Sequence, residues 1–315
     1  MSEVKSTPTF QKEKTFLSYN HEQGKAYAQV RRDYHPNVYQ TVLDYHTSTG
    51  GQLDTLVDVG CGPGNATRQL GMHFNHAVGL DPSQGMISMA RSLGGSTSTS
   101  EAVRFEISDA QELGANISPP IQDSSVDLII AATAAHWFDM SGFWPRAARV
   151  LKPGGSVAIW TTGEPRTDPN LPNAIAIQAA VEEHEERNLR PYFEPGNLLN
   201  RNRYRDLLLP WTLPQPVPEF DESAFIRKEW DYGDQFIVGE PEVDLDTFEK
   251  VWASASAQTR WYQAHPDDVG TERDPVKMLR RKLEALLHDA GVEKGKEWLR
   301  GAVGGTLLVV KKKTA

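Results

Sequence analysis

Cysteine is nearly absent. Cys61 is the single one in 315 residues, which excludes an internal disulfide and fits a reducing, cytoplasmic setting. With no second cysteine nearby it reads as a small turn residue, not a redox or metal centre. Long apolar runs are also missing. None approaches the roughly 20 residues that span a bilayer, and residues 1–14 lack the apolar centre of a secretory leader. No membrane span and no export are therefore expected. Positive charge is in deficit, with 33 Lys and Arg against 42 Asp and Glu and a net charge of -9. Nucleic acid, which needs a basic face, is not an expected partner. A small anion held by a local arginine cluster stays open. The oligomeric state, monomer or homodimer, is not fixed.

What is present is an alternation of short apolar runs with helix-competent segments. Strands are expected at 55–59, 76–80, 103–107, 126–131 and 156–160, with helices between them. That rhythm predicts an α/β fold with a parallel sheet covered on both faces. Beyond Trp160 the chain turns rich in Pro, Asn and Arg, too long for a simple connection. Helices are expected at 173–188, 198–208, 244–256 and 275–288, and two further strands at 224–232 and 305–310. The predicted architecture is a Rossmann-like, doubly wound, mostly parallel sheet of about seven strands with an inserted, mainly helical cap. Its parts are a disordered tail (1–18), an aromatic-rich helical lid (19–52), the core (53–160), the cap insertion (161–222) and a C-terminal completion of the sheet (223–315).

The chain is organised around Val57-Asp58-Val59-Gly60-Cys61-Gly62-Pro63-Gly64-Asn65. An apolar strand runs into three alternating glycines and then a helix, a turn that brings a ligand close to the backbone. Dinucleotide sites use G-x-G-x-x-G at this place. Here Asn65 replaces the third glycine of that pattern, and Asp58 stands two residues before the first. A carboxylate aimed at pyrophosphate repels it, whereas one aimed at an ammonium group forms a charge-assisted hydrogen bond. The turn therefore fits a ligand with a cationic amine and no phosphate.

V-D-V-G-C-G-P-G with the downstream Gly79-Leu80-Asp81 resembles motif I and the acidic loop of class I S-adenosyl-L-methionine-dependent methyltransferases. The turn Leu151-Lys152-Pro153-Gly154-Gly155 matches the same family. The resemblance implies that Asp58 and the backbone of Gly60, Cys61, Gly62, Gly64 and Asn65 hold the methionine part. It implies that Asp81 binds the ribose hydroxyls and Met86 packs on the adenine. Asp109, Ala110 and Gln111 would bound the adenine edge, and Ala132 would lie beside the sulfonium. Tyr34-His35-Pro36, Ala135-His136-Trp137-Phe138-Asp139 and Pro191-Tyr192-Phe193-Glu194-Pro195-Gly196 are similar to the fungal trans-aconitate methyltransferase group, which includes the cantharidin-resistance methyltransferase.

That resemblance implies a small-molecule acceptor in fungal metabolism, methylated at a carboxylate or hydroxyl oxygen, with S-adenosyl-L-homocysteine as product. Tyr19, Tyr27, Arg32, His136, Trp137, Trp160 and Tyr192 are its candidate contacts. His136 directly follows strand four and is either a general base or a packed pocket histidine. Arg31, Arg32, Arg166 and Arg190 lie in covering segments, either as carboxylate clamps or as solvated surface. The run Glu182-Glu183-His184-Glu185-Glu186 reads as an exposed face without metal. Two alternatives remain at this stage: a nicotinamide-dependent oxidoreductase, and a non-methylating protein that keeps the cofactor fold.

Overall fold

The computed structural model describes residues 13–239 and 242–314. The chain starts with helices α1 (His21–Val30) and α2 (Pro36–Ser48). It then alternates through β1 (Thr55–Val59), α3 (Asn65–Gly71), β2 (His76–Asp81), α4 (Gln84–Leu93), β3 (Arg104–Ile107), β4 (Val126–Ala132), α5 (Met140–Val150) and β5 (Leu151–Thr167). The second half holds α6 (Ala174–His184), α7 (Pro195–Arg201), β6 (Phe220–Trp230), β7 (Glu242–Asp244), α8 (Leu245–Ala253), α9 (Ser256–Ala264), α10 (Pro275–Asp289) and β8 (Trp298–Lys312). Among the described residues no helix is long and apolar enough to cross a membrane.

The sheet runs β3-β2-β1-β4-β5-β8-β6, with β7 pairing the far end of β8 as an eighth strand. The first five strands pair in parallel; β8 joins β5, β6 and β7 antiparallel. Successive strand residues point to opposite faces. Val57 and Val59 therefore enter the layer with Phe143, Trp144 and Ala147 of α5. Leu56, Leu128 and Ile130 enter the layer with Val38, Leu70 and Ile87 of α2, α3 and α4. Both faces being covered explains why the strands read as continuous apolar runs. A third apolar cluster lies among α6, α8 and α10.

Several boundaries differ from expectation for local reasons. Residues 152–155, expected as a turn before strand five, bulge within it, the pairing slipping from Val126–Leu151 to Leu128–Ser156 and Gly154 taking φ +75°. Strands β5 and β8 also run past the body of the sheet, still pairing at Thr167–Gly301. Helix α5 starts at Met140 because the Asp139 carboxylate accepts from the Ser141 N–H at 3.1 Å, which leaves Pro145 inside it. Helix α7 stops at Arg201, and Arg203 and Tyr204 just beyond adopt φ +54° and +57°, outside the helical region. The helix expected over 244–256 is α8, which stops at Ala253, and a separate α9 follows from Ser256. Of the tail expected to be disordered, residues 1–12 lie outside the described residues, but 13–18 form a turn. The Glu13 carboxylate accepts from the Thr15 and Phe16 N–H groups at 2.5 and 2.9 Å, and Phe16 meets Tyr19, Tyr27 and Trp137 edge-on.

The parallel half is tied at its base by Lys152 in the bulge. Its ammonium donates to Asp54 at 2.9 Å and to Asp127 at 2.7 Å. Asp127 is buried and also accepts from the Thr55 N–H. Lys152→Ala strands that carboxylate without its cation, and we expect a loss of about 1–3 kcal/mol in denaturant unfolding. A change within experimental error would show that water replaces the ammonium.

Candidate active site

The site is built at the carboxyl ends of β1, β2 and β4, where the strand order reverses and α/β sheets bind ligands. The Gly60 and Cys61 N–H groups both donate to the Leu80 carbonyl, at 2.7 and 3.0 Å. The Gly62 N–H donates to one Asp81 oxygen at 2.9 Å, and the other accepts from the Ser83 N–H at 2.8 Å. Each Asp81 oxygen thus keeps a lone pair for a ligand hydroxyl. Burial raises the Asp81 carboxyl to about 6. Asp58 is fully buried at the end of β1. One of its oxygens accepts from the Thr67 hydroxyl at 2.6 Å, and the other has no partner among the described residues. Burial, helped by the nearby Asp81 charge, pushes this carboxyl up to about 7. Burial also pushes the Cys61 thiol well up, the opposite of a reactive thiolate.

Above the turn opens a cavity of about 1120 Å³. It exceeds the roughly 300–1,000 Å³ of a typical single-ligand pocket, so it has room for two ligands. Gly60, Cys61, Gly62, Asn65, Asp81, Met86, Asp109, Ala110, Gln111 and Ala132 all stand in its wall. Asp58 and Gly64 are behind the wall. A Cβ on Gly64 would meet the Phe105 ring at 2.6 Å. Tyr27, Arg32 and Trp137 also line the cavity.

The other four acceptor candidates stand outside the wall. Tyr19 is buried, its hydroxyl 3.3 Å from that of Thr259. Trp160 lies fully buried with Tyr34 and Tyr39 edge-on to it. The Tyr192 hydroxyl pairs with His265 at 2.7 Å. His136 turns its Nδ1 to the Tyr204 hydroxyl at 2.8 Å, with its ring 4.6 Å from that of Trp137. Burial lowers its pKa to about 3, which leaves a weak proton acceptor at neutral pH. Arg31, Arg32 and Arg166 are spread along the cavity wall and do not gather at His136. Arg190 lies elsewhere, its guanidinium 5.7 Å from the Phe193 ring centre. In the acidic run, Glu183 pairs with Arg187 and Glu185 with Arg201.

Other wall residues escaped the sequence reading. Thr133, held at φ +51°, directs its hydroxyl to that of Tyr34 at 2.7 Å, and both line the cavity. Glu13, Phe16 and Leu17 close over the cavity from the N-terminal turn; the apolar Phe16-Leu17 pair was the available signal. Arg260 fastens that turn, donating to the Thr15 hydroxyl at 2.9 Å, to Asn197 at 2.6 Å and to the Tyr192 carbonyl at 2.8 Å. Arg300 and the apolar residues of the cap cluster complete the far half.

Residues 57–159, which carry this fold and turn, match the family model described as "Methyltransferase domain". Trans-aconitate 2-methyltransferase of Variovorax paradoxus is 34% identical over 192 residues, covering 56% of this chain and 64% of that protein. CRG1 of Saccharomyces cerevisiae, designated an S-adenosylmethionine-dependent methyltransferase, is 29% identical over 146 residues, 46% of this chain and 47% of its own length. The chain thus matches about half to just under two thirds of these relatives' lengths. A solved structure described as a type II methyltransferase, from Anaeromyxobacter dehalogenans, superposes with a TM-score of 0.57 at 23% identity, over 90% of this chain and 98% of the other. That likeness shows the fold.

The turn separates two glycines by what surrounds them. A Cβ on Gly60 would lie 2.5 Å from the Ala134 Cβ, whereas one on Gly62 would meet nothing within 4 Å and project into open space. Both have positive φ, +69° and +54°, a strain of about 1–2 kcal/mol for an L-residue. Gly62→Ala is expected to fold with that modest loss yet bind S-adenosylhomocysteine at least about tenfold more weakly. Gly60→Ala should lose more stability than Gly62→Ala. Equal cofactor affinity in Gly62→Ala and the parent protein, by calorimetry, would remove the turn from the binding site.

Proposed function

We propose that the protein transfers the methyl group of S-adenosylmethionine to an oxygen of a small organic acceptor, a carboxylate or a hydroxyl. The observation that carries this reading is the single cavity joining the glycine turn and Asp81 to an arginine-bearing half under the cap. The residues present fit the cofactor. Asp58 offers an unpartnered buried oxygen for an ammonium group, Asp81 keeps lone pairs for ribose hydroxyls, and Gly62 leaves its space free. When bound, the cofactor supplies an electrophilic methyl group on a sulfonium. The chain's own work is to hold the acceptor in line and keep water out. The Phe16 turn, fastened by Arg260, serves the second task.

A carboxylate acceptor is ionised at neutral pH and needs no base. Two features favour it over a hydroxyl. His136 is depressed and engaged by Tyr204, and a relative is named for transfer to trans-aconitate, a carboxylic acid. We place the reaction in the cytoplasm, on the single, buried Cys61. The net charge of -9 argues against a nucleic-acid acceptor.

His136→Gln is expected to lower the rate through loss of the Tyr204 contact, with the loss constant from pH 6 to 9. A loss that rising pH restores would make His136 the base after all.

Asp58 gives the test of the cofactor itself. Its carboxyl is raised to about 7 in the free protein. A raised pKa stabilises the fold below the unfolded value near 3.8 and loses that contribution as pH rises through about 7. A ligand ammonium favours the carboxylate, so binding expels a proton wherever Asp58 is still protonated. Affinity for S-adenosylhomocysteine should therefore fall about tenfold between pH 8 and pH 6. Asp58→Asn should bind more weakly and with a flat pH profile. A flat profile in the parent protein would mean that Asp58 does not sense the ligand's amine.

A further inference from the structure

The cavity continues well beyond what a cofactor occupies. From Ala132 and Thr133 at the end of β4 its wall passes through Thr162 to Arg166, near the end of β5, and on to Leu171. There it opens among the helices of the cap. The walls are Leu171, Ile177, Val181, Phe248, Leu283 and Leu299, all at most 9% exposed. They form part of the cap's own apolar cluster and still face the cavity. Such a wall gains little from a compact, multiply charged acid, whose carboxylates would be left dehydrated. It favours an aliphatic body.

At the mouth of this chamber stands Arg166. Its guanidinium rests 4.7 Å from the centre of the Tyr232 ring. Among the described residues it has no carboxylate within ion-pair distance. Its neighbours in the wall are engaged. Arg300 pairs with Glu242 and lies 3.9 Å from Asp168, and Arg31 packs on Tyr27 and donates to the Ser254 carbonyl at 3.3 Å.

We propose that the cap half of the cavity receives an elongated amphipathic carboxylic acid, its carboxylate at Arg166 and its aliphatic body in the leucine-lined chamber. The inference rests on the methyl-transfer reading for its purpose, but its recognition chemistry stands on the chamber and Arg166 alone. It assigns the occupant of the cap half to a class distinct from compact tricarboxylates, with Arg166 as its anchor. It also makes Arg166 a specificity-determining residue, supported by the Tyr232 ring beneath it.

Calorimetry on the full chain, with and without S-adenosylhomocysteine, tests this with hexanoate, octanoate and decanoate as probes and trans-aconitate as the competitor. Each added methylene should tighten binding about fourfold until the chamber is full. Decanoate should bind more tightly than trans-aconitate. Arg166→Gln should weaken decanoate about tenfold and leave decanol unaffected. Leu283→Trp and Val181→Phe, which fill the chamber, should lose decanoate while still binding S-adenosylhomocysteine, a retained site that reports the fold. Tighter binding of trans-aconitate, no dependence on chain length, or full decanoate affinity in both filled variants would overturn the proposal. Failure of S-adenosylhomocysteine to bind the parent protein would instead sink the methyltransferase reading, and the chain-length series without it would still decide this one.

Discussion

Two carboxylates are buried at the ends of the neighbouring strands β1 and β2, and the glycine turn between them is arranged around keeping them there. Asp81 is satisfied by the protein, with one N–H from Gly62 and one from Ser83. Asp58 is only half satisfied, by Thr67. A buried carboxyl without full hydrogen bonding is a standing penalty, and here it appears as a pKa raised to about 7. The penalty is relieved by a ligand that brings a positive charge. The turn is thus complementary to a zwitterionic amino-acid moiety and mismatched to a phosphate. Three glycines with positive φ are the backbone condition for placing the Gly62 N–H against Asp81 while Leu80 holds the preceding two.

The second half of the site comes from a different device. The parallel strands end where the cofactor turn begins, but β5 and β8 continue as an antiparallel ribbon beyond the sheet. That ribbon carries Thr162, Arg166 and Arg300 into the cavity wall and supports the cap cluster through Leu299. On the reading proposed above, the cofactor half belongs to the parallel sheet, and the acceptor half to the strands and helices added after Trp160. Changes in the cap can alter the acceptor without disturbing the Asp58–Thr67 and Asp81–Gly62 contacts.

The cofactor half was readable because its signals are contiguous. An acid, three glycines and a second acid at the next strand end fall within 24 residues, and each has a backbone reason for its identity. The acceptor half was not readable in that way. Leu171, Val181, Phe248, Leu283 and Leu299 are spaced as helix and strand core residues, and periodicity cannot tell a core contact from a chamber wall. The early start of β5 was hidden by Pro153, Gly154 and Gly155, which read as a turn before the strand but are absorbed as a bulge. Tyr19, Trp160 and Tyr192 entered the acceptor set through the family resemblance; they lie off the cavity wall and contact Thr259, Tyr34 and His265. Tyr27 and Trp137, of the same chemical type, do face the cavity. Residue type alone does not separate the two groups.

His136 shows how position can mislead about chemistry. It follows the strand that ends beside the cofactor turn, where a base would be useful. Yet its ring is packed against Trp137 and tied to Tyr204, and its pKa is held near 3. Tyr204 is itself buried at a left-handed turn just after α7, so the pair joins the loop after β4 to the second half of the cap insertion. A Cβ on Gly196 would strike the Trp137 ring and the His136 carbonyl at 2.5 and 2.7 Å, so α7 packs on this loop at the distance of bare backbone. The His136 ring thus takes part in holding the cap onto the core. On the reading proposed above, the histidine places the acceptor half over the cofactor half, and an acceptor that arrives already ionised is the chemistry such an arrangement serves.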